Sequence, residues 1–244
     1  MKKLGDRRGV ALMLVLWLIV VLGAIAAGVV AAARSEVDVV MNVRTRSVAR
    51  YAAESGVVAA TAQLKRLLRI AATPKEQALV FRRLEELLRE LQEQTLGSAR
   101  FQVTVADLNA RIDLNNADEA TLLAFLQQFV DERKAEALVD ALQDWKDDDD
   151  VPRAHGAEAQ EYARVGSPFF PPNRPLQRLD DLTRISGFTD SVADVIAPYV
   201  TVYGDGRVNV NTAPKPVLAA VRGLGNAGAD QIVSRREQGE VFES

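Results

Sequence analysis

The stretch DRRGVALMLVLWLIVVLGAIAAGVVAAAR, Asp6 to Arg34, decides the architecture. Two arginines and a glycine abut an uncharged run of 24 residues, Val10–Ala33. As a helix this run spans ~36 Å at ~1.5 Å per residue, more than a ~30 Å hydrocarbon core. It predicts a membrane anchor. A cleaved signal peptide is the competing reading, because basic residues precede the run and AIAAGVVAAA offers small residues for cleavage; its apolar core is ordinarily only ~7–15 residues. A buried globular helix is a third reading. With Lys2, Lys3, Arg7 and Arg8 ahead of the run, the cytoplasmic bias of basic residues puts the N-terminus inside and everything after Ala33 outside.

Working outward, RSEVDVVMNVRTRSVARYAAESGVVAATAQLKRLLRI holds no proline and one glycine, and its apolar residues recur at helical spacing. The spanning helix is predicted to run on to about Ile70. ATPKEQ then ends it, with Thr73 as cap, Pro74 at the first position and Glu76 closing a capping box for a second helix over about 74–95, whose apolar stripe is Leu84, Leu87, Leu88 and Leu91. Phe101, Val103 and Val105 alternate with polar residues, the period of a half-buried strand after a turn at Gly97. A helical stretch follows, capped by Asn116 or Asp118, and from Asp147 to Pro175 the pattern collapses into a long loop. VTVY and RVNV are expected to pair as strands joined at GDG. The chain stops at GEVFES as if within an element, which suggests a C-terminal truncation.

The 244 residues contain no cysteine and one histidine, His155. Disulfides, thiolate zinc sites and imidazole-rich metal sites are thereby excluded, and no nucleophile elbow or paired acid and base in an apolar pocket suggests an enzyme. Charge is uneven. Residues 101–204 carry nine Lys/Arg against nineteen Asp/Glu. That excess matters for two segments, LDDLTRISGFTDSVADVIAPYV and VNVNTAPKPVLAAVRGLGNAGADQIVSRRE, which resemble helix-hairpin-helix units that offer backbone N–H groups to phosphate. A membrane-anchored exported DNA-binding protein is the alternative function, but binding to a polyanion rests on Lys/Arg, so no nucleic acid partner is expected.

DWKDDDDVP is the strongest chemical signal: five carboxylates lie within Asp144–Asp150. They repel one another unless solvated or bridged by a hard cation that takes six to eight oxygen ligands. Asp147, Asp149 and Glu158 stand at positions one, three and twelve of an EF-hand spacing, yet Val151 and Pro152 occupy positions five and six, where an oxygen ligand and glycine belong. The loop is no EF-hand, and a solvated acidic face stays open beside calcium binding.

These residues carry a resemblance. RRG before an uncharged helix resembles a type IV prepilin-type leader, and LNARIDLNNAD, DWKDDDDVPRAHGAEAQEY, NRPLQRLDDLTRISGF, APYVTVY and VNVNTAP are similar, in order, to the minor pseudopilin of type II secretion systems called protein K. The resemblance implies an α+β fold: a long transmembrane and stalk helix, a small antiparallel pseudopilin sheet, and a large all-α insertion with helix-hairpin-helix-like (SAM-like) units. Its segments would be a cytoplasmic leader (1–9), membrane helix (10–33), periplasmic helix (34–72), second helix and first strand (73–107), insertion with the acidic loop (108–198), and strands with the start of a second hairpin unit (199–244). It implies cleavage by prepilin peptidase between Gly9 and Val10, with N-methylation of the new terminus. Leu14 stands where such chains usually carry a glutamate. Calcium is carried onto Asp147, Asp149, Asp150 and Glu158. The implied role is to initiate and cap a pseudopilus tip with other minor pseudopilins, on the inner-membrane platform of a system that exports folded proteins. The body would lie in the periplasm of a single-pass inner-membrane protein. Family members with a disulfide in the insertion have no counterpart in this cysteine-free chain.

Overall fold

A computed structural model describes residues 7–89 and 94–243; the start of the leader and Leu91 of the expected second helix lie outside them. α1 runs unbroken over Arg7–Ile70. It contains an 18-residue window of mean hydropathy 2.8, none of it buried within the protein, and its apolar side chains are exposed all round, Trp17 at 70% and Ile19 at 62%. A helix apolar on every side belongs in lipid. This is one helix long and apolar enough to cross a membrane.

The chain forms two compact units. The first holds α1 up to Ala62 and an antiparallel hairpin of β1 (Gln94–Leu96) and β2 (Ala99–Phe101), in register Gln94 with Phe101 and Leu96 with Ala99. Gly97 turns the hairpin at φ +62°, a conformation glycine adopts without a Cβ clash. Against α1 the fit is close. A Cβ at Gly56 would lie 2.6 Å from the Phe101 ring and 2.8 Å from Val103, while Ala52 and Ala60, one turn to either side, are also buried. Residues four apart share a helix face, so three small residues form a shelf, and the Phe101 and Val103 rows expected from the alternation lie on it. The ladder stops at Phe101, however; residues 102–106 keep the alternating burial without strand pairing.

The second unit takes Gln63–Arg89 and the chain from Thr104 onward. α2 (Pro74–Arg82) begins with the anticipated capping box, in which Thr73 Oγ1 accepts the Glu76 N–H at 3.2 Å and Glu76 Oε2 accepts the Thr73 N–H at 3.0 Å. The expected helix to residue 95 is corrected. It breaks at Arg83, resumes for one turn as α3 (Leu84–Leu87), and Gln94 already belongs to β1, because QTLGSARF gains more backbone bonding as a hairpin around Gly97 than as a frayed helix end.

β3 (Ile112–Asp113) leads into α4 (Glu119–Leu126) and α5 (Glu132–Lys146), whose starts are capped by the carboxylates of Asp118 and Asp131. α6 (Ala159–Arg164) interrupts the long loop; a 3-10 turn at Leu179–Arg184, α7 (Asp190–Ile196), β4 (Val200–Thr201), α8 (Lys215–Ala220) and α9 (Gly225–Glu237) follow. The expected pairing of VTVY with RVNV is corrected: β4 pairs in parallel with β3, Ile112 opposite Val200, and residues 207–209 form no strand. The edge that RVNV would use is taken, with the Leu114 N–H donating to the Thr201 carbonyl at 2.9 Å, and the Asn209 N–H turns instead to the Asn109 carbonyl at 2.7 Å. One core unites these elements: Leu122 and Phe125 of α4, Leu138 and Leu142 of α5, Ile196 of α7 and Leu218 of α8 are all fully buried.

Candidate metal centre

The acidic loop springs from the buried face of α5. Leu138, Leu142 and Trp145 point inward, and Asp144 shares their face with no exposed surface. Trp145 lies against Tyr162 of α6 with ring centroids 6.0 Å apart, and Tyr162 Oη accepts the Ser186 N–H at 2.7 Å. These contacts hold both ends of the loop. Its inside is organised by Asp144, whose oxygens accept the Arg153 N–H at 3.1 and 3.3 Å, while the Arg153 guanidinium reaches Glu119 at 2.7 Å and Asp144 at 3.6 Å. Burial, less fully countered by the backbone bond from Arg153, lifts the Asp144 carboxyl above its ordinary range. Nearby, the Lys146 ammonium is spent on the carbonyls of Leu114 and Asn115 at 2.9 and 3.2 Å.

Around this frame Asp147, Asp149 and Glu158 converge: one oxygen from each lies within 4.8 Å of the others. Glu158 is only 2% exposed. Both its oxygens, and Oδ1 of Asp147, are buried with no hydrogen-bond partner. A buried carboxylate without a donor is costly. Accordingly Glu158 is pushed up to about 7, by burial first and then by Asp144, Asp147, Asp150 and Asp149, and Asp147 moves up through burial and the charge of Asp149. Oxygens sharing a calcium ion at ~2.3–2.6 Å sit up to ~5 Å apart, whereas the ~2.0–2.1 Å shell of magnesium is tighter. Three orphaned buried oxygens in an all-oxygen set thus fit a hard cation such as calcium.

Asp150 stands outside this group. Its Oδ1 accepts from Asn173 Nδ2 at 3.1 Å, and the same amide also donates to the Asp149 carbonyl at 3.1 Å, so Asp150 pins the loop to the Pro-rich segment. Asp144 and Gly156 are the residues sequence reasoning missed. The available signal was an aspartate on the apolar stripe of α5. A Cβ at Gly156 would lie 1.9 Å from Asp144 Oδ2, and that carboxylate is enclosed. Gly156→Ala is therefore expected to cost ~1–3 kcal/mol through overpacking, read as a lower melting temperature; unchanged melting would mean the loop is not folded around Asp144.

A long apolar helix continuing into an α+β body is the arrangement expected of a pseudopilin. Residues 99–205 match the family described as "Type II secretion system (T2SS), protein K", and residues 204–244 match a helix-hairpin-helix motif. Over residues 99–205 the chain is thus similar to protein K of type II secretion systems. It is 27% identical over 158 residues to type II secretion system protein K of Klebsiella pneumoniae, covering 58% of this chain and 48% of that one. To the protein K of Pseudomonas aeruginosa it is 32% identical over 115 residues, 46% of this chain and 34% of that one. The chain thus spans about half the length of the Klebsiella relative or less of the Pseudomonas one. A solved chain of the GspK–GspI–GspJ complex from the enterotoxigenic Escherichia coli type 2 secretion system has the same fold, with TM-score 0.53, 21% identity, and coverage of 82% of this chain and 80% of that one. The hairpin expected in the last segment is α8 and α9, joined where Gly223 takes φ +84°.

Proposed function

We propose that this protein is a minor pseudopilin that initiates and caps the pseudopilus tip together with other minor pseudopilins, serving export of folded proteins across the outer membrane. The observation that carries this reading is the continuity of α1, which runs from an apolar span into a body bearing the protein K domain. The analogy with a chain solved in a GspK–GspI–GspJ complex supplies the kind of partner. In this reading prepilin peptidase removes the leader after Gly9, the N-terminus faces the cytoplasm, the body is periplasmic, and the secretion platform in the inner membrane receives the assembly. Calcium bound by Asp147, Asp149 and Glu158, with Asp150 beside them, holds the acidic loop closed.

Leu14 supplies the test. It lies in α1 and is 67% exposed, at the fifth position of a chain starting at Val10. A carboxylate in hydrocarbon is costly unless paired, and a subunit that starts a fibre has no amino terminus above it to pair with. Leucine there removes the unpaired charge, while the amino group of Val10 stays available to the subunit below. Tagged wild-type protein is expected at fibre ends alone, and Leu14→Glu is expected to bring no gain in assembly. Labelling along the fibre would overturn the tip assignment.

A further inference from the structure

A cleft of about 690 Å³ opens in the second unit between α2–α3, residues 105–111 and the α8–α9 pair. At ~30 Å³ per water it has room for on the order of twenty, far more than one small ion displaces. Its floor is partly apolar, with Phe81, Val105, Pro198 and Val233, and its lining carries five arginines against four carboxylates. Two of those arginines are held by the backbone. Arg82 donates Nη1 to the Glu240 carbonyl at 2.7 Å and Nη2 to the Arg236 carbonyl. Arg236 donates Nη1 to the carbonyls of Ala213 and Val210 at 2.8 and 3.3 Å. Both guanidiniums are thus fixed by backbone oxygens, and neither they nor Arg111 form an ion pair among the described residues. Arg236 is held below its ordinary range by burial and then by the charge of Arg82.

The carbonyls satisfy donors but bring only partial charge. Two rigid, neighbouring guanidiniums facing a solvent-filled cleft attract an anion, and a planar fork matches a carboxylate. We propose that this cleft binds an extended acidic peptide segment, one carboxylate of which seats among Arg82, Arg111 and Arg236 while its backbone and stems cover the apolar floor. A peptide carboxylate suits the site better than phosphate. The surplus is a single positive charge, and Glu85 and Glu237, both on the lining, repel the double charge that phosphate concentrates on one group. The site is distinct from the acidic loop and independent of the secretion role, so either can fail alone.

The test uses the full chain in detergent micelles and a fluorescent, end-capped octapeptide containing glutamate and aspartate among alanine and serine. Its anisotropy is expected to rise on binding, to fall with added salt, and to require about tenfold more protein when Gln and Asn replace the acidic residues. Arg111→Gln is expected to weaken binding about tenfold without changing melting; if that variant melts early, Arg111→Lys, which keeps the charge and loses the fork, is expected to fall between it and wild type. Equal binding of the neutral peptide, or full binding by a stably folded Arg111→Gln, would overturn the proposal. Displacement of the peptide by succinate or inorganic phosphate at equal concentration would also overturn it, since the site would then take any small anion.

Discussion

Addition of calcium is expected to raise the melting temperature of this protein by about 5–10 °C and a chelator to reverse the rise. An ion at a hundredfold excess over its Kd contributes ~2.7 kcal/mol, and a kcal/mol moves a body of this size by ~2–4 °C. The sharper part of this expectation concerns pH. Without metal, Glu158 keeps its proton up to about 7, well above its unfolded value of ~4.3. A raised carboxyl contributes stability that is fully present below the unfolded value and is lost as pH rises through about 7. In chelator, stability should therefore decline across that window, by a few kcal/mol at most at ~1.4 kcal/mol per unit. Asp144 and Asp147, also raised, add to the decline. Glu76, Glu86 and Asp118 are shifted down, but they are exposed and contribute little. With calcium the slope should reverse, because the ion takes the ionised carboxylate and is displaced by protons as pH falls through about 7. Glu158→Gln isolates the group: it should flatten the slope in chelator, raise stability at about pH 8, and abolish most of the calcium response. A full calcium response in Glu158→Gln, or identical melting with and without chelator in wild type, would reduce the acidic run to a solvated face.

The trio at this centre was legible because spacing survives where a motif fails. Asp147, Asp149 and Glu158 keep the one, three, twelve positions of a cation loop, and the structure brings their oxygens together although Val151 and Pro152 rule out the EF-hand itself. Asp150 was not separable from its neighbours, since four consecutive aspartates look alike until Asn173 selects one. Asp144 shows how burial hides a role: its partner is a backbone N–H nine residues on, which no side-chain pattern records. Local signals fared best. The helix of the apolar run and the Thr73 box depend on neighbours within a turn and formed as read, and of the two caps offered, Asn116 and Asp118, the structure uses Asp118. The parallel pairing of β3 with β4 could not be read, because two two-residue strands carry no period, and their partnership is decided by the helical core packed between them in sequence. The end of α2 was misjudged for a related reason: the leucine stripe of Leu84, Leu87 and Leu88 continues past Arg83, where the helix breaks.

Substituting Gly9 by leucine is expected to abolish removal of the leader, and wild-type mature protein is expected to begin at Val10. The bond in question lies within α1, which is described from Arg7 onward. Glycine costs a helix ~1 kcal/mol relative to alanine. The backbone around Gly9 is thus easier to draw out into the extended form a peptidase requires than a stretch of stronger helix formers. Leucine at this position restores helix propensity and adds a side chain beside the scissile bond, so both terms act against cleavage. The rival site near Ala33 lies in the interior of the same helix, where each bond opened would also break i to i−4 hydrogen bonds on both sides. Cutting there would detach the body from the span and leave a soluble protein. N-terminal sequencing of protein from cells that carry the peptidase distinguishes the cases: a start at Val10, lost in Gly9→Leu, supports an anchored subunit whose apolar helix remains its stem. A start near Ala33 would remove the anchor from the account and with it the pseudopilus role, and a normal start in Gly9→Leu would remove Gly9 as the determinant of cleavage.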